Sequence, residues 1–150
     1  PLYLAAAHVI AQLVVPLRHH FYPGNVLWNE DGIRYAWKVM LVEKNGSIDF
    51  WARDHATGER FLVSPRDYFT PEQIRMLSTQ PDMILEAAHI IRDDFAARGR
   101  DVAVYADAHV SLNGRRSAPF VAPDVDLAAE RDSLAPKRWV LPMPESAPRF

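Results

Sequence analysis

Residues 2–15, LYLAAAHVIAQLVV, form an unbroken apolar run, and Pro16 follows it directly. A run of about 14 such residues is helical by composition but shorter than the ~20 needed to cross a bilayer. His8 and Gln12 stand four apart and share one helical face. Two readings are open: a buried or amphipathic helix of a soluble domain, or the last turns of a transmembrane helix that begins upstream. The start at Pro1, without a methionine and already apolar at the second residue, suggests the second. No basic segment precedes the run and no small-residue cleavage site follows it, so it does not read as a signal peptide. Proline lacks the N–H and restricts its predecessor, so the helix is expected to end at Pro16.

The segment that follows, PLRHHFYPGNVLW, places two histidines and several aromatics at that end. His19 and His20 are adjacent, a geometry that does not conveniently chelate one metal, and the chain has no Cys and no HExxH or HxH spacing; no metal site is expected. Imidazoles just past an apolar helix suit either an interfacial polar tip or a proton-transfer or substrate contact. The stretch WNEDGIRYAW supplies Trp28, Tyr35 and Trp37, which could wall a pocket with Glu30 and Asp31 at its mouth. The same aromatics could be sheet core, or could sit at a membrane–water interface.

From Ile33 the apolar period becomes two, with Ile33, Tyr35, Trp37, Val39 and Leu41 on one side. Asn45-Gly46 then reads as a type I′ hairpin turn, returning through a strand over 47–53 that turns Ile48, Phe50 and Ala52 inward. A turn over 54–58 leads to a short strand over 60–63, completing an antiparallel meander. Thr70-Pro71-Glu72-Gln73 is a capping box opening a short helix to Leu77. Pro81 opens a longer helix with the stripe Ile84, Ala88, Ile91 and Phe95, closed by Gly99. Strict alternation from Val102 to Leu112 marks a long strand, ended by Asn113-Gly114. The expected fold class is α+β: an antiparallel sheet, meander plus a late long strand, with two inserted helices, preceded by the end of a transmembrane or interfacial helix. Residues 1–17 are assigned to that helix, 18–142 to an α+β domain, and 143–150, MPESAPRF in its proline-rich setting, to a tail.

At 150 residues, with 49% hydrophobic and 24% charged, the chain can bury a core of its own. A net charge of −2 gives nucleic acid no electrostatic footing. Tyr105, Asp107, His109 and Ser111 line one face of the late strand, with Asp107 and His109 about 7 Å apart at in-register spacing. No GxSxG elbow supplies a nucleophile, so a solvated or cross-strand-paired face is expected. Arg115 and Arg116 facing Asp124 and Asp126 suggest ion pairs, or a carboxylate site. Spacing and periodicity reveal no self-contained active site.

The collinear series PLRHHFYPGNVLW, GIRYAW, TQPDMILEAAH, VYADAHVSLNGR, APDVDLAAE and PKRWVLP resembles the C-terminal part of the vitamin K-dependent γ-carboxylase family, which includes bacterial homologues with a horizontally transferred transmembrane domain. The resemblance implies a multi-helix membrane domain followed by a soluble domain on the extracytoplasmic (periplasmic or lumenal) side. It implies reduced vitamin K hydroquinone, O2 and CO2 for the parent enzyme, a carbon–carbon lyase whose catalytic lysine lies outside this chain. No catalytic residue and no cofactor is then expected in this fragment. The implied partners are the membrane domain of the same chain, a glutamate-containing peptide and the lipid bilayer. Carried over by motif, His19 is the sensitive position at the membrane exit, and Trp28, Tyr35, Trp37 and Met40 fall in the region tied to substrate binding. The family's GYRFSW reads GIRYAW here, so Ile33 and Ala36 replace two hydroxyls able to bond a substrate or quinone. A different class of function, a non-catalytic protein- or peptide-binding module acting through its sheet, stands beside this one.

Overall fold

The computed structural model describes residues 2–37 and 42–144. Helix α1 (Leu2–Leu17) is followed by a 3₁₀ turn (Arg18–Phe21) and a single helical turn α2 (Val26–Asn29). Strands β1 (Lys44–Asp54) and β2 (Arg60–Val63) form a hairpin. Helices α3 (Pro71–Leu77) and α4 (Pro81–Ala97) precede β3 (Val102–Leu112) and the short β4 (Ala118–Pro119). The four strands form one antiparallel sheet in the order β2-β1-β3-β4. The expected α+β class holds, with an apolar helix in front of it.

Alternation explains the packing. Ile48, Phe50 and Ala52 of β1 and Val104, Ala106, Ala108 and Val110 of β3 share the buried face, and Ile84, Ala88 and Ile91 of α4 join the same core. The opposite face carries Ser47, Asp49, Trp51, Tyr105, Asp107 and His109. Both expected helices start and stop where their signals stand. Thr70 and Gln73 exchange the two capping-box bonds, and Gly99 takes a left-handed φ of 74° beyond α4.

Two local expectations fail. Helix α1 runs one residue past the end expected at Pro16, to Leu17: a proline in the last turn forfeits one backbone bond, and the chain then tightens into the 3₁₀ turn. His19 Nδ1 lies 2.9 Å from the Pro16 carbonyl, which can only accept, so this nitrogen carries the proton and satisfies a terminal carbonyl. Along its length α1 is exposed apart from Pro16, and 2–21 is long and apolar enough to cross a membrane by length and composition.

The second failure is the Asn45-Gly46 turn. Both residues lie inside β1, which pairs with β3 without a break from Lys44↔Leu112 to Asp54↔Val102. Ile33–Trp37 form turns, not a strand, and 38–41, with Met40, lie outside the described residues. Gly46 serves a close approach instead. A Cβ there would stand 2.6 Å from the Ser78 carbonyl oxygen at the end of α3 and 3.2 Å from that of His109. Both obstacles are backbone, so neither can swing away.

The proline-rich end is drawn in by backbone bonds. Leu141 N–H donates to Phe120 (2.9 Å), Ala122 N–H to Trp139 (2.8 Å), and Val121 bridges Val140. Asp126 Oδ1 accepts from the N–H groups of Val104 and Ala128 at 2.9 and 3.0 Å, in place of the expected pairing with an arginine. Met143, placed in the tail by sequence, packs against the core.

Replacing Gly46 by Ala is expected to destabilise the domain by about 1–3 kcal/mol through overpacking. Asn45→Ala, at an exposed strand position, stays within about 0.5 kcal/mol. Urea unfolding separates this from a turn role, in which both substitutions would be costly.

Candidate cleft at the helix exit

The chain leaving α1 makes a compact knot. Asn25 caps α2, and its side-chain oxygen accepts from Leu27 N–H at 2.9 Å. Trp28 is buried edge-on against Phe120, with centroids 5.2 Å apart, and its indole N–H donates to Leu141 at 2.8 Å. Lys44 at the start of β1 reaches back, donating to the Trp28 carbonyl (2.8 Å) and to Glu30 (2.9 Å) over the Phe120 ring. Burial pushes the Lys44 ammonium below its ordinary pKa, against the opposing pull of Glu30.

After α2 the backbone turns through left-handed conformations at Glu30 (φ 61°), Gly32 (φ 71°) and Tyr35 (φ 66°). Such a conformation costs a non-glycine residue roughly 1–3 kcal/mol and persists where surroundings enforce it. At Gly32 they do. A Cβ would lie 2.8 Å from His19 Cα and from the Tyr22 ring, so only glycine lets the loop close on the helix exit.

Between this loop, the first turn of α4 and residues 132–137 lies a cleft of about 610 Å³. Asp82, in the first turn of α4 where a carboxylate suits the helix dipole, is its hub. It accepts from Arg34 Nη2 at 2.5 Å and from Lys137 Nζ at 2.8 Å. Lys137 also stands 3.6 Å from the buried Asp31. Burial opposes the Lys137 charge, but the hydrogen bond and charge of Asp82, with Asp31 and Asp132 behind it, hold the ammonium above its usual pKa. Burial raises the Asp31 carboxyl, and Lys137, closer to Asp82, only partly offsets that. Tyr22 closes one side, donating its hydroxyl to the Leu134 carbonyl at 2.6 Å. Arg18 lines the cleft, with Nε 3.5 Å from the Gly32 carbonyl and its guanidinium 5.8 Å from the Tyr35 ring centroid. Among the described residues, Arg18 is the cation of this cleft without a carboxylate partner.

The structure separates the residues singled out by sequence. Glu30 and Asp31 do line the cleft. His19 is half-buried beside it, its ring 4.0 Å from that of His20. Trp28 is in the core and borders a different cavity of about 160 Å³, next to Met143. Tyr35 and Trp37 are 78% and 68% exposed on the surface, and Met40 lies outside the described residues. Arg18, Arg34, Asp82 and Lys137 escaped notice because each is an ordinary surface residue by sequence, and only the fold brings them together. Asp107 and His109, expected to be too far apart, touch at 3.3 Å because side chains two apart lean along the strand. Both are largely exposed, which keeps them a surface pair. No group of three metal-ligating side chains converges among the described residues.

Lys137→Met is expected to cost about 3 kcal/mol at neutral pH by stranding the Asp31 charge in a buried place. Because the folded-state pKa of Asp31 is raised, native protein takes the proton first as pH falls toward 3.8, so the loss shrinks in mild acid. Asp31→Asn in the same protein restores part of it at neutral pH. Thermal unfolding at two pH values measures both effects.

Compared with known proteins, residues 1–146 match the family model described as vitamin K-dependent gamma-carboxylase, lumenal domain. No curated protein matches the chain, and no solved structure does. With nearly its whole length inside that match, the chain belongs to the vitamin K-dependent γ-carboxylase family, as its extracytoplasmic, lumenal domain.

Proposed function

We propose that this domain presents a glutamate-containing peptide to the membrane domain of its own chain, at the cleft where α1 emerges from the bilayer. In this reading α1 is the end of the final membrane helix, and the cleft is the part of the soluble domain nearest the membrane-embedded chemistry. The observation that carries it is Arg18: a guanidinium in a cleft where Arg34 and Lys137 already have carboxylate partners, free to grip one more carboxylate with its terminal nitrogens. His19, next to it, orders the helix exit through its bond to Pro16.

The bond-making chemistry lies elsewhere in the parent enzyme. A lined surface of Asp31, Arg34, Asp82 and Lys137 does not fit an apolar quinone, so no residue of this domain is assigned to reduced vitamin K. O2 and CO2 likewise belong to the parent's membrane portion. The domain's contribution is to bind and orient, which affects substrate affinity more than the chemical step.

A second reading has its own observation. On the open sheet face Trp51 lies between its partners Leu62 and Tyr105, and Trp51 and Leu62 are both exposed. A row of this kind suits a module that recognises a protein through its sheet.

The test uses membranes carrying the full-length parent, with vitamin K hydroquinone, O2, labelled bicarbonate and a glutamate peptide. Label in the peptide together with epoxide formation is the expected outcome, and neither product from folded protein favours the binding module. Arg18→Gln is then expected to raise KM for the peptide about tenfold, near the worth of one charge-assisted hydrogen bond, with kcat held. An unchanged KM would remove Arg18 from substrate contact.

A further inference from the structure

We propose that Phe21, Tyr35 and Trp37 form an aromatic footing set into the headgroup layer of the bilayer, which fixes the height of the domain over the membrane. The proposal rests on the reading of α1 as membrane-embedded. It gives Tyr35 and Trp37 a lipid partner in place of a substrate.

The three side chains are 83%, 78% and 68% exposed, among the largest apolar surfaces the domain leaves uncovered outside α1. They come from two separate segments, of which the fold ties Tyr35 to the helix exit. Phe21 ends the 3₁₀ turn that continues α1. Tyr35 lies on the loop that closes over the helix exit, beneath the guanidinium of Arg18, one residue beyond the end of α1. Gly32 presses that loop against His19 and Tyr22, and Arg18 bonds its carbonyl, so Tyr35 cannot drift from the level of the helix end.

That level is where the apolar surface stops. Apart from Pro16, α1 is exposed along its 16 residues, about 24 Å at helical rise, and the first Lys or Arg, Arg18, follows at once. Tyrosine and tryptophan prefer this boundary, where the ring meets acyl carbon and the O–H or N–H meets water. A left-handed backbone at a tyrosine is unfavourable, and here it turns the ring outward beside the helix instead of into the core. Aqueous solvent offers no reason to hold three large rings outward at the end of an apolar helix. A lipid interface continuous with that helix does.

The experiment places full-length protein in vesicles of phosphatidylcholine brominated on the acyl carbons nearest the headgroup, and separately adds aqueous iodide to unbrominated vesicles. Trp37→Phe, at an exposed position that leaves the core intact, isolates the emission of Trp37 by difference. Val9→Trp reports on α1 independently. The footing requires the Trp37 difference signal to lose most of its intensity to brominated lipid and little to iodide. Quenching by iodide alone overturns it, because the ring then faces water. Protection from both quenchers also overturns it, because the ring is then covered by other segments of the parent. If brominated lipid quenches Val9→Trp and not Trp37, the footing fails while the anchoring of α1 stands. If neither is quenched by lipid, both fail.

Discussion

β1 and β3 pair over eleven residues in one register, and the placement of everything else follows from that ladder. A slip of one residue would turn Ile48, Phe50 and Ala52 to solvent and bring Asp49, Trp51 and Arg53 under α4, so burial enforces the alignment. The ladder also sets where the ends meet. Lys44, the first residue of β1, lies opposite Leu112 and is thereby brought over the Phe120 ring, from which it holds Trp28 and Glu30. The chain around α2 is therefore attached to the sheet through a buried ammonium, although Lys44 lies 16 and 14 residues beyond Trp28 and Glu30 in sequence.

Charge and apolar surface divide the region around that exit. Asp82 gathers Arg34 and Lys137, and with Asp31 these join the loop after α2, the start of α4 and the C-terminal segment. A mutual network of partly buried charges gives such a junction geometric definition even where its net stabilisation is small. Outside the network, the large side chains left uncovered around the exit are Phe21, Tyr35 and Trp37, with Leu17 and Leu134 beside them.

The division of labour in a membrane enzyme of this family is consistent with what the domain contains. Of the three non-glycine residues with positive φ among the described residues, Glu30 and Tyr35 sit in one loop over the helix exit and the third, Asn113, in the turn after β3. Strain held there by Gly32, Arg18 and Tyr22 keeps the loop in one shape, which is what the proposed presentation of a peptide requires.

The helices, the late strand and the family were legible in the sequence because their signals are local. A capping box, a proline at the first helical position, a closing glycine and strict alternation each act within a few residues, and the family motifs are short and collinear. The Asn45-Gly46 pair misled for the same reason: the local preference is for a turn, but an eleven-residue partner strand and the Ser78 carbonyl settle its role from a distance. The aromatics of WNEDGIRYAW read as one group, yet Trp28 is drawn into the core by Phe120 and Leu141 while Tyr35 and Trp37 stay outside. The sequence by itself determined the helices, the late strand and the class of protein, since helix caps and β-alternation are short-range physics. The tertiary structure alone decided the cleft, because Arg18, Asp82 and Lys137 become neighbours only when three segments distant in the chain are packed together, and charge pairing depends on distance in space.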